Sequence, residues 1–350
     1  MATPALDAPA TTVTDIQETP MPTYMSAPRR AQALLAIVLA FGAWFVAPAA
    51  AQDFPNRPIR LIVGYPPGGS NDIVARLIAP SLGEALGTTV VVENRAGASG
   101  TMGADFVSKA AADGYTLMLS SASPLVITPH TLGKAPFETP KDFIAINTVG
   151  LTPEAIAVSP AMQVNSLKEL LALARKQQVT LASSGAGGLP HLTIELLRAI
   201  AGDNIVHVPY KGAGPAVTDT LAGHVNGIVM DLPPLYPLIQ DGRLRALAVT
   251  SAKRVDFLAN VPTAQEELPS FDVVNWVGIF APARTPQGVI DRVNAALVKV
   301  VARADVREQL TKNAVVPSIL ANPAAFQKFV DGEWARWGKL VKEKGITSNE

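Results

Sequence analysis

Ile59-Arg60-Leu61-Ile62-Val63-Gly64-Tyr65-Pro66-Pro67-Gly68-Gly69-Ser70-Asn71-Asp72 decides the fold. Residues 59–64 are a short apolar run of strand length, and Pro66-Pro67-Gly68-Gly69 is a turn. Residues 73–86 then carry apolar side chains at helical spacing, with polar Arg76 and Glu84 between them. Strand, glycine-rich turn and helix together make one βα unit. The same unit recurs outward from it: strands are predicted at 88–93, 115–120, 179–183, 205–208, 226–231 and 244–250. Helices are predicted at 101–111, 166–176, 190–200, 215–222 and 234–240. Short strands alternating with helices predict βαβ crossovers and a mostly parallel sheet buried on both faces.

Two stretches break this rhythm. Residues 143–159 put two extended runs in succession with no full helix between them. Residues 272–282 (DVVNWVGIFAP) form a long extended segment, followed by helical patterns at 286–312 and 323–343. These are the places where the chain is expected to leave one domain and return to it. The expected division is 52–150 plus 276–350 for one lobe and 151–275 for the other.

The chain of 350 residues carries 29 Lys+Arg against 29 Asp+Glu, a formal net charge of +0. That balance argues against a basic nucleic-acid surface. With 48% hydrophobic and 17% charged residues, a packed core is expected rather than disorder. The sequence has no cysteine, which removes disulfides, thiolate metal sites and cysteine nucleophiles together. Residues 1–28 lack any period. Arg29-Arg30 and an apolar run from Ala31 to Ala51 follow, broken by Pro48 and ending in Ala49-Ala50-Ala51. The run is long enough to span a bilayer. The proline and the small-residue ending instead favour a signal peptide cleaved after Ala51, leaving Gln52 as the first mature residue.

Chemistry concentrates in four strand-to-helix turns: 64–72, 97–100 (GASG), 183–191 (SSGAGGLPH) and 212–215 (GAGP). In an open parallel sheet these turns share the carboxyl edge, where ligands bind. Glycine lets backbone approach a ligand closely, and a helix start offers free N–H donors with partial positive charge. Two such starts facing each other can hold an anion without an arginine. Taken singly, each turn is also ordinary turn chemistry. Catalytic alternatives fare poorly: G-x-S-x-G, G-x-G-x-x-G and the P-loop pattern are all missing. His130, His191, His207 and His224 lack metal-ligand spacing. His191 is a candidate for ligand contact, and the other three are expected to be packed or solvated. Asp72 suits the positive end of its helix, and is also a candidate to orient a water or accept from a ligand hydroxyl or amine.

Taken in order, several motifs make the mature chain resemble the Bug/TctC family, the extracytoplasmic solute receptors of tripartite tricarboxylate transporters. They are RPIRLIV (57–63), PGGSND (67–72), VENRAGASG (92–100), DGYTL (113–117), HVPYKG (207–212), RLRALAVT (243–250), VPT (261–263) and GIFAP (278–282). The resemblance runs from about Phe54 to Ile346. It implies an α/β chain with the type II periplasmic-binding-protein fold, two doubly wound lobes closing on a ligand cleft. It implies a periplasmic, monomeric receptor rather than an enzyme, without cofactor, metal or nucleic-acid partner. The implied partners are a small carboxylated solute (a di- or tricarboxylate, an aromatic carboxylate or an amino acid) and membrane transporter subunits. A sensor signalling to a membrane kinase is the alternative. In the family the carboxylate is held mainly by backbone N–H groups and waters. Carried onto this chain, that puts Tyr65, Gly68, Gly69, Ser70, Asp72 and Ser121 on the first lobe. Ser183, Gly187 and His191 face them from the second, with Lys211 and Asp231 nearby. Departures at 183–186, 192–193 and 230–234 imply a second-lobe rim of altered shape.

Overall fold

Ile59–Val63 forms β1, with every residue except Arg60 fully buried, as its apolar run requires. The computed structural model describes residues 54–348 apart from 270 and 272, so the leader and cleavage site lie outside the described residues. After the Pro-Pro-Gly-Gly turn comes helix α1 (Ser70–Leu86), which ends where Gly87 adopts the left-handed conformation. The remaining first-sheet strands are β2 (Val90–Asn94), β3 (Thr116–Ser121) and β4 (Phe143–Leu151). Helix α2 (Thr101–Ser108) connects β2 to β3.

The chain then passes directly from β4 to β5 (Glu154–Val158), which belongs to a second sheet. That sheet adds β6 (Val179–Ser183), β7 (Ile205–Pro209), β8 (Gly227–Asp231) and β9 (Arg245–Val249). Its helices are α3 (Leu167–Ala174), α4 (Leu189–Ala201), α5 (Ala213–Ala222) and α6 (Leu232–Gln240). The chain re-enters the first sheet at β10 (Trp276–Pro282) and continues through α7 (Gln287–Ala302), α8 (Ala304–Lys312), β11 (Val316–Pro317) and α9 (Pro323–Lys344). Strand order is β11-β4-β10-β3-β1-β2 in one sheet and β7-β6-β8-β5-β9 in the other. The architecture is α/β with two sheets and their helices.

Both sheets are mixed, which corrects the expectation of a mostly parallel array. β1 runs parallel to β2 and β3, and β6 parallel to β7 and β8. β10 is antiparallel to β3 and β4, and β5 is antiparallel to β8 and β9. The reversal falls on the strands that carry the chain between sheets. A strand entered without a crossover helix arrives pointing the opposite way. β5 and β10 are buried along their whole length, so both sheets are covered on both faces there.

Two further expectations need adjustment. The helical pattern at 286–312 is two helices, because Arg303 takes an extended conformation (φ −63°, ψ 134°) between α7 and α8. Its guanidinium donates to both Asp305 and Glu84, tying that break to α1. A helical turn at 123–131 after β3 carried no periodic signal of its own. Among the described residues no helix is long and apolar enough to cross a membrane.

Candidate functional site

The first βα turn delivers Gly69, Ser70 and Asn71 to the carboxyl edge of β1, facing a crevice between the two sheets. The crevice is lined by Tyr65, Pro66, Gly69, Ser70, Asn71, Ser121 and Ser123 from one side. Ser184, Pro190, Ala213, Met230, Asp231 and Pro234 line the other. Four helices therefore begin at its wall: α1 at Ser70, α4 beside Pro190, α5 at Ala213 and α6 beside Pro234. None of the four N-cap residues makes a side-chain cap bond. The Leu189 N–H of α4 donates to Ser123 Oγ, however, and the Leu232 N–H of α6 to the Pro153 carbonyl. Pro233 and Pro234 bring no N–H, so α6 contributes its dipole alone. Helix starts leave N–H groups unsatisfied and carry partial positive charge, so their convergence favours an anion. Neither Lys nor Arg lines the crevice.

The polar side chains are arranged for hydrogen bonding. Asn71 Nδ2 donates to Ser121 Oγ at 3.3 Å, and the Leu189 N–H donates to Ser123 Oγ at 2.9 Å. The Tyr65 hydroxyl donates to the Ser99 carbonyl at 2.8 Å, and burial pushes its pKa above the ordinary tyrosine range. Ser70 Oγ is buried without a hydrogen-bond partner of good geometry. Asn275 Nδ2 donates to Asp231 Oδ1 at 2.9 Å, and also to Thr152 Oγ1 at 3.2 Å. Through its Oδ1 it accepts from the Ala122 N–H at 3.2 Å. One asparagine thus ties both chain crossings to a crevice carboxyl.

The crevice itself is tight, with a cavity of about 30 Å³. That is about one water's share of liquid volume. It opens past Tyr65, Pro66 and Ser184 into an outer chamber of about 670 Å³, where Ser99, Tyr210 and Lys211 also form the wall. Hydrogen bonds close the seam between the sheets. Ser99 Oγ donates to the Ala186 carbonyl at 2.6 Å, and Thr128 and Thr131 hydroxyls donate to the Gly187 carbonyl at 3.2 and 3.1 Å. A Cβ on Gly185 would stand 2.5 Å from Ser99 Oγ, so a side chain there has to push that hydroxyl out of this contact.

Of the residues expected from the sequence, Tyr65, Gly69, Ser70, Ser121 and Asp231 line the crevice. Lys211 lines only the outer chamber. Asp72, Ser183, Gly187 and His191 are buried behind the wall, and Gly68 is exposed outside it. The Asp72 carboxylate is consumed locally: it accepts from the Gly68 N–H at 2.9 Å, from Arg76 Nε at 3.0 Å and from Asn94 Nδ2 at 2.8 Å. Burial opposes its ionisation, but those donors hold its pKa below the usual carboxylate range. Ser183 Oγ pairs with His207 Nε2 at 2.6 Å, and His207 stacks on buried His191 with ring centroids 4.0 Å apart. Burial, then the neighbouring His191, pushes His207 down to about 3. His191 Nδ1 accepts from the Gly187 N–H at 3.0 Å, so this imidazole supports the second-lobe turn from inside.

Asn71, Ser123 and Ser184 were missed. Ser184 lies just past the end of β6, beside Ser183, whose hydroxyl is taken by His207. The serine cluster after β3 was the available signal for Ser123. For Asp72, the expected outcome of Asp72→Ala is a loop defect: a stability loss of about 1–3 kcal/mol from orphaned donors, seen as a lower melting temperature at pH 7. Because the native pKa is depressed, that contribution is present above pH ~4 and fades as the pH falls through the native value. The gap between wild type and variant should therefore narrow in acid.

Comparison with known proteins follows the same lines. Residues 74–346 match the profile of the tripartite tricarboxylate transporter family receptor. Protein BugT of Bordetella pertussis is 37% identical over 318 residues, covering 89% of this chain and 97% of BugT. The structure of periplasmic binding protein BugD superposes with a TM-score of 0.79 at 33% identity, over 84% of this chain and 99% of that one. An R. palustris protein determined with adipate gives 0.80 at 31%, over 84% and 99%. The type II two-lobe fold read from the motifs agrees with these neighbours, and the family is one of substrate-binding receptors, not enzymes. The chain belongs to the tripartite tricarboxylate transporter receptor family.

Proposed function

We propose that the protein is a periplasmic receptor that captures a small carboxylated solute between two lobes and delivers it unchanged to a tripartite tricarboxylate-type transporter. The lobes are residues 52–150 plus 276–350 and residues 151–275, acting within a monomer exported by cleavage after Ala51. The observation that carries this reading is the convergence of four helix N-termini, drawn from both sheets, on a crevice without a cationic side chain. Backbone amides of Gly69, Ser70 and Asn71 hold the carboxylate, with the hydroxyls of Ser121, Ser123 and Ser184 beside them. The adipate held by the R. palustris relative supports the ligand class. A cavity of about 30 Å³ is too small for a whole dicarboxylate, so entry requires the lobes to part at the crossings near 152–153 and 250–275.

Thermal unfolding in the presence of succinate, adipate, benzoate or glutamate tests the reading. A ligand at 100 times its dissociation constant adds ~2.7 kcal/mol of stability, which is roughly 5 °C for a chain of this size. If no carboxylate raises the melting temperature, the reading fails.

A further inference from the structure

Strands β5 and β8 set two carboxyl groups directly opposite one another. Glu154 opens β5, Asp231 ends β8, and the two are partners in the antiparallel register. Like charges so placed repel. Glu154 is wholly buried; the Thr193 hydroxyl donates to its Oε2, and its Oε1 has no partner. Asp231 lines the crevice and has the Asn275 amide on Oδ1. The groups facing Asp231 are Ser70 on α1 and Asn275 before β10, which act on its carboxyl, and Glu154 on β5 and Tyr65 after β1, on which its charge acts. None of them is cationic. Each carboxyl thus has too few donors and no counter-charge, a setting that retains a proton. Burial lifts Asp231 to about 7, and burial together with the Asp231 charge lifts Glu154 well above the carboxylate range.

We propose that Asp231 binds the solute as a neutral acid, donating its hydroxyl proton to an acceptor oxygen of the anion, so that capture takes up a proton from solvent. Asp231 is then the specificity-determining residue of the crevice. It selects an oxygen acceptor, a carboxylate or hydroxyl, at the position where an ionised aspartate would select an ammonium. Glu154, facing it across the strands, is held neutral by burial and by the Asp231 charge, so it offers no counter-charge that would draw the proton off Asp231. The inference rests on the carboxylate reading, although its proton site is testable without any ligand.

Carbon-13 NMR of the side-chain carboxyls in the unliganded protein is expected to show one titration near pH 7 that disappears in Asp231→Asn. Complete ionisation of that carboxyl at pH 6 overturns the proposal and leaves the receptor reading intact. Calorimetry with adipate in phosphate and in Tris at pH 8 is expected to differ by the heat of one proton drawn from the buffer. Between pH 7 and 9 the affinity should fall about tenfold per unit. Asp231→Asn should flatten that profile, and Glu154→Gln, which replaces a group already neutral, should leave its midpoint in place. Binding without proton uptake, or affinity that rises with pH, overturns the proposal.

Discussion

Gly185→Leu is expected to weaken carboxylate capture by about 10–100-fold while both sheets stay folded. Gly185 lies on the second-sheet turn, where a Cβ would come within 2.5 Å of Ser99 Oγ on the opposite sheet. Its φ is not in the left-handed region, so a leucine places no strain on the local backbone. The side chain instead acts as a wedge at the seam, displacing the Ser99 hydroxyl from the Ala186 carbonyl. Overpacking of this kind costs about 1–3 kcal/mol, and every 1.4 kcal/mol is about tenfold in affinity. Because the cost arises only on closure, the melting temperature without ligand should change little. Calorimetry against the best-binding carboxylate and thermal unfolding of the apo variant give the two numbers. Unchanged affinity with a collapsed melting temperature would show that Gly185 serves the fold instead.

The largest stability effect is expected for Trp276→Ala. Trp276 opens β10 and is 1% exposed. Its ring meets Phe326 edge-on at 5.6 Å, and Phe280 and Phe329 each at 5.9 Å. Removing a buried tryptophan from such a cluster costs about 3–5 kcal/mol, or a melting temperature lower by roughly 6–10 °C. Trp276→Phe should restore most of it. Denaturant unfolding gives the comparison directly, and a loss under about 1 kcal/mol would mean that the aromatic cluster is not what anchors the returning strand. The position also bears on binding, because the preceding residue, Asn275, holds both chain crossings and Asp231.

The alternation of elements was legible in the sequence because short apolar strands and amphipathic helices have different periods. The sheet switches were legible as broken rhythm at 143–159 and 272–282. Strand direction was not: β5 and β10 have the same apolar composition whichever way they run, and only pairing register reveals their reversal. The carboxyl-edge turn 64–72 was readable, since its glycines and prolines admit few conformations. Which polar atom faces the crevice was harder. Asp72 looked free until Gly68, Arg76 and Asn94 were seen to use its oxygens. His191 looked like a ligand contact, yet it is buried against His207. The opposition of Glu154 to Asp231 links residues 77 positions apart, so nothing local announces it.

Ser99 and Ala186 come from different sheets and meet across the seam, in a polypeptide that contains no thiol. Paired fluorophores attached through cysteines introduced next to these two residues would have no competing attachment site. Opening would separate them, and solute uptake would then be read as a change in light emission, turning the receptor into an optical gauge for its own cargo.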